Sequence, residues 1–222
     1  MNATNVKKRK NQPDPIKNCL FASSHGCDHH HFPEHFDNLM SENPRFSTPE
    51  YLAIGGQKID DHFVENIKTY LAENDGKRNL VILMIGGNNI RRKGSGDTIL
   101  PYFEDIVKQV AATERAHLII CGLVPSPPHE ETFNTKDRFS EADHLLSDLA
   151  EQNKAKCTFF PTAKYFCQEG KSVRRYYEKE GEDVHLNSDG AKYFAQHLFD
   201  MVRNLPKEKF NFSQEPGKKA KQ

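Results

Sequence analysis

Apolar positions along this chain follow two alternating rhythms. Short, nearly unbroken runs occur at Lys17–Ala22, Tyr51–Ile54, Asn79–Ile85, His117–Val124 and Cys157–Pro161. Runs this short, rich in Val, Ile and Leu with little alternation, read as strands covered on both faces, which is the condition of a parallel sheet. Between them the spacing changes to that of helices. Phe63, Ile67, Tyr70 and Leu71 form one stripe, and Leu100, Phe103, Ile106, Val107 and Val110 form the next. Phe139, Ala142, Leu145, Leu146 and Leu149 make a third. Ala191, Phe194, Ala195, Leu198 and Val202 make the last, with Asn187 or Ser188 placed to cap it. Repeated strand–helix alternation predicts a three-layer α/β/α sandwich on a five-stranded parallel sheet, flavodoxin-like, with right-handed crossovers.

The ends lack either rhythm. Residues 1–15 and 205–222 are rich in Lys, Asn, Gln and Pro, and read as a disordered basic N-terminal tail and a disordered C-terminal tail around one domain at 16–204. Lys7-Lys8-Arg9-Lys10 is a solvated basic patch or an import or phosphate-contacting signal. Lys plus Arg and Asp plus Glu stand at 31 each, so no global field draws the chain to nucleic acid or a membrane surface. No apolar stretch reaches the roughly 18–20 residues that span a bilayer, and no apolar core follows the charged amino terminus. Five cysteines, an odd number without close pairing, read as buried thiols in a reducing compartment. The expected location is intracellular, cytoplasmic or nuclear.

In a doubly wound sheet the ligand crevice lies beyond the carboxyl ends of the strands. The first strand is followed by Ser23-Ser24-His25-Gly26, the second by Gly55-Gly56-Gln57 and the third by Gly86-Gly87-Asn88-Asn89. Just before the last helix stands Glu182-Asp183-Val184-His185-Leu186-Asn187. Serine, glycine, asparagine and histidine in this order resemble the SGNH hydrolase superfamily, also called GDSL esterases, across roughly residues 17–203. LFASSHG resembles its first block, VILMIGGNN its third and DVHLNSDGAKYFAQHL its fifth.

The resemblance implies a serine hydrolase cleaving carboxylic esters or O-acetyl groups on a small-molecule substrate, without metal or organic cofactor. It implies Ser24 as nucleophile, His185 as general base, and an oxyanion hole from the Ser24 and Gly56 backbone N–H groups and the Asn88 amide. Glycine at 56, rather than 55, suits that role because a missing Cβ lets the backbone approach an oxyanion. The family's Gly-Asp-Ser reads here Ala22-Ser23-Ser24, and Asn89 replaces the usual aspartate. The aspartate expected three residues before the histidine is Glu182, with Asp183 only two before it; either carboxylate could orient His185. These departures keep a second reading open, a catalytically impaired binding module on the same fold.

Several other groups remain. Cys27, His29, His31 and His35 suggest zinc, but no second cluster completes a ligand set, so a polar segment following the first strand is the plainer reading. Ser126, in a Pro-rich loop, lacks the strand-to-helix elbow of a nucleophile. Arg91 and Arg92, with Arg175 downstream, could form a substrate-binding rim favouring acidic or polar acyl groups. Val173–Tyr177 together with the histidine block also resembles SGNH-like domains of some animal retroelements, which implies a nucleic-acid-associated parent protein.

Overall fold

The computed structural model describes residues 14–27, 31–91, 94–132, 134–181 and 183–210. Five strands, β1 (Lys17–Ala22), β2 (Glu50–Ala53), β3 (Asn79–Met84), β4 (Ala116–Cys121) and β5 (Cys157–Phe160), form one sheet in the order β2-β1-β3-β4-β5. Every neighbouring pair is parallel. The chain leaves β1 toward β2 and then returns to the other side of β1 as β3, so the sheet's topological switch lies at β1.

Strand side chains alternate between two cores. Cys19, Phe21, Val81, Leu83, Leu118 and Ile120 pack beneath α2 (Asp61–Glu73), α4 (Gly96–Ala112) and α6 (Lys136–Gln152). Leu20, Ala22, Leu80, Ile82, Ile119 and Phe160 pack beneath α1 (Phe32–Ser41) and α8 (Ser188–Asn204). This is the three-layer arrangement that the unbroken apolar runs of β1, β3 and β4 require; β2, expected to be covered on both faces, is an edge strand that leaves Leu52 and the following Ile54 exposed. Burial of this kind pushes the Cys19 and Cys157 thiols up to about 12, leaving them protonated and unreactive.

Shorter helices finish the frame: α3 (Gly87–Arg91), α5 (Pro127–Glu131) and α7 (Thr162–Phe166), with a small hairpin of β6 (Cys167–Gln168) and β7 (Lys171–Ser172). Two expectations change. The polar-looking segment after β1 contains a ten-residue helix, α1, whose buried Phe32, Phe36 and Met40 recur at helical spacing among charged and histidine residues. The folded region also continues beyond 204: Leu205 and Phe210 are buried, and the Phe210 ring packs on Phe46 and His117. The KKRK patch and His29 lie outside the described residues. No described helix is long and apolar enough to cross a membrane.

Candidate active site

The site grows from what the chain does at the carboxyl end of each central strand. After β1, the Ser23 N–H donates to the Met84 carbonyl of the neighbouring strand. The chain then makes a single 3₁₀ turn over Ser24–Gly26. Gly26 permits that turn: a Cβ there would lie 2.4 Å from the Ala22 Cβ and 2.9 Å from a Leu20 methyl. Ser23 is buried, whereas the following Ser24 is partly open to a cavity.

After β2, Gly56 has φ of +75°, a left-handed conformation that favours glycine, and Gly55 does not. A Cβ at 56 would meet nothing within 4 Å. The fold itself therefore favours glycine here for its conformation, and no neighbouring protein atom demands it. After β3, Asn88 donates one amide N–H to the Gln57 carbonyl at 3.0 Å, which ties the Asn88 loop to the glycine loop. An amide nitrogen has two donors, so one remains for a ligand.

His185 is held from both sides. Its carbonyl accepts from the Glu178 N–H at 2.9 Å, and Tyr177 and Leu186 form an isolated antiparallel bridge. Asn187 caps α8 by accepting from the Gly190 N–H at 2.9 Å, while its amide donates to the Arg175 and Tyr177 carbonyls. Asp183 Oδ1 accepts from the His185 backbone N–H at 3.1 Å and sits 2.7 Å from imidazole Nδ1. Partial burial alone would raise the Asp183 pKa; the His185 N–H and the adjacent imidazole outweigh it and hold the carboxyl below its ordinary value.

These pieces meet. Ser24, Gly56, Asn88, Arg91 and His185 line one cavity of about 290 Å³, and the His25 and His185 rings meet edge-on with centroids 5.7 Å apart. A larger hollow of about 790 Å³ runs along α6 and β5, but none of Ser24, Asn88 and His185 lines it.

A family model described as GDSL-like lipase/acylhydrolase matches residues 22–193. The chain belongs to this family. The structure is similar to a G-D-S-L lipolytic protein from Veillonella parvula at a TM-score of 0.67 and 13% identity, covering 86% of this chain and 100% of that one. It is likewise similar to a lipase/acylhydrolase from Enterococcus faecalis (TM-score 0.66, 11% identity, 90% and 99% covered). A carbohydrate esterase family 3 protein from Talaromyces cellulolyticus gives 0.61 at 14% identity, with 86% and 97% covered. At such identities the likeness concerns the fold. A comparison with curated proteins finds no match.

Within this GDSL-like acylhydrolase frame, the departures have structural content. Asn89 accepts from the Ile59 N–H at 3.0 Å and donates to the Ile59 carbonyl at 2.9 Å. An ionised aspartate could not make the second bond, so the amide suits this clamp. Asp183, two residues before the histidine, makes the imidazole contact; Glu182 lies outside the described residues. So does Arg92. Arg91 lines the cavity, whereas the Arg175 guanidinium lies over the Tyr176 ring at 4.9 Å, and Arg175 does not line it.

Sequence reasoning gave His129 no role of its own, although it let the Pro-rich stretch that ends there wall one side of the pocket. His129 lines the cavity, and its Nδ1 is 2.8 Å from the hydroxyl of buried Ser126. Burial, with the Arg91 charge second, brings its pKa down to about 4, so the ring is neutral near pH 7. The Pro-rich setting concealed it, because nothing in the spacing shows that α5 brings this ring to the cavity.

Proposed function

We propose that the chain is a serine hydrolase that cleaves carboxylic esters or O-acetyl groups of small molecules. The observation that carries this reading is the shared cavity of Ser24, Gly56, Asn88 and His185, with Asp183 bonded behind the imidazole. In the proposed reaction, His185 Nε2 takes the Ser24 hydroxyl proton as Oγ attacks the carbonyl carbon. Asp183 keeps Nδ1 protonated and stabilises the imidazolium that forms. The Ser24 and Gly56 N–H groups and the free Asn88 amide hydrogen receive the oxyanion. One such donor typically accounts for about 2.7–4 kcal/mol of barrier lowering. Collapse expels the alcohol, protonated by His185, and leaves an acyl-Ser24 ester. Water, deprotonated by the same imidazole, then releases the acid and restores the hydroxyl.

The test is acetyl-ester turnover together with covalent labelling by a fluorophosphonate. Wild type should turn over the ester and label, and Ser24→Ala should lose both. Labelling that persists undiminished in Ser24→Ala removes Ser24 from the role. A folded wild-type protein that neither labels nor turns over ester is instead a binding module on this fold.

A further inference from the structure

The cavity wall is electrostatically one-sided. Among its described lining residues there is no aspartate or glutamate, whereas Arg91 and three histidines, His25, His129 and His185, contribute to it. Glu130 and Asp143 line the neighbouring hollow. Arg91 is also firmly placed. It follows Asn88 by three residues on α3, so the two share a helix face with Cβ atoms roughly 5–6 Å apart. That helix is fixed by the Asn88–Gln57 and Asn89–Ile59 bonds, and by Arg138, which donates to the Ile90 and Gly94 carbonyls at 3.2 and 3.0 Å. Burial, with the Arg91 charge second, keeps His129 neutral. His129 therefore adds no second fixed charge to the wall.

We propose that the ester taken by this site carries a carboxylate one short spacer from the scissile carbonyl, and that Arg91 binds this anion beside His129. The inference rests on the hydrolase reading and narrows its substrate class. A cavity of about 290 Å³ suits a short acid-bearing ester of succinyl length better than a long acyl chain. The arginine fork matches a carboxylate in geometry as well as charge.

Two pairs of isosteric esters test this and locate the anion. Ethyl hydrogen succinate against ethyl 4-methylpentanoate puts the charge in the acyl half, and 3-acetoxypropanoate against 3-methylbutyl acetate puts it in the alcohol half. In one pair, kcat/KM should favour the charged ester by about ten-fold or more. Arg91→Gln should lower that charged-to-neutral ratio by about ten- to hundred-fold, the scale of one charge-assisted hydrogen bond, and Arg91→Lys should restore part of it. No charged preference in either pair overturns the proposal, as does an equal loss on charged and neutral esters in Arg91→Gln. If no ester is turned over, the hydrolase reading fails separately, and calorimetric binding of the same four esters still decides the anion site. Binding of a charged ester ten-fold or more weaker in Arg91→Gln supports it; equal binding overturns it.

Discussion

Asp183 reaches His185 across only one intervening residue because the same oxygen receives both the backbone N–H and the ring nitrogen of the histidine. Asp183→Asn, which can present an N–H to Nδ1, should lower kcat by about a thousand- to ten-thousand-fold with little change in melting temperature. Glu182→Gln should cost far less; the reverse order in a kinetic comparison would move the orienting role to Glu182. Other single residues set the pH response. His117, buried beside Thr158, is held down at about 3 and His129 at about 4, against an ordinary 6.5. Below 6.5 the unfolded chain binds protons that these folded histidines refuse, so their contribution to stability falls as pH drops from 6.5 toward 4. Asp143 acts oppositely. Its carboxyl accepts from the Leu123 N–H, but burial, the larger effect, raises it from 3.8 to about 7. The folded state therefore gains from its protonation as pH falls through the same range. Asp143→Asn keeps an acceptor for Leu123 without the buried charge. Its melting temperature should exceed the wild type's at pH 8, with the difference shrinking toward pH 4; thermal melts across this series check the sign.

At the scale of elements, the last helix and the loop before it act as one device. The α8 stripe was readable from apolar spacing, and the Asn187 cap from its position ahead of that stripe. What spacing could not reveal is that Asn187 also grips the Arg175 and Tyr177 carbonyls and so fixes the histidine loop from behind. Asn187→Ala should lose about 1 kcal/mol of stability as a cap, and should reduce kcat more than it raises KM because His185 is then less firmly aimed. Gly190 has a separate constraint: a Cβ would lie 2.2 Å from the Tyr176 carbonyl oxygen. Gly190→Ala should therefore destabilise by about 1–3 kcal/mol, as overpacking does; denaturant unfolding measures both changes. Helix α1 was missed for a related reason. Its three buried positions are separated by charged and histidine residues, and their periodicity becomes persuasive only once α8 is seen beside them.

The whole molecule decides that the described fold extends past residue 204. Phe210 follows a lysine-rich stretch without internal periodicity, and a local reading assigns it to a tail. Its burial depends on Phe46 and His117, 164 and 93 positions away by residue number, which meet it only when the sheet is complete. Phe210→Ala should cost about 3–5 kcal/mol, or roughly 6–20 °C in melting temperature for a domain of this size; a drop below about 2 °C would show that this contact does not hold the terminus. The sequence by itself determined the strand-and-helix alternation, the parallel sheet and the residue types standing at each strand end, because these follow from periodicity and burial within a few neighbouring positions. Only the tertiary structure decided that Asp183 meets the imidazole, that Arg91 enters the cavity while Arg175 lies on Tyr176, and that His129 joins the wall. Those outcomes depend on directions of side chains brought together from distant parts of the chain, and direction is fixed by packing and hydrogen bonds that no local pattern encodes.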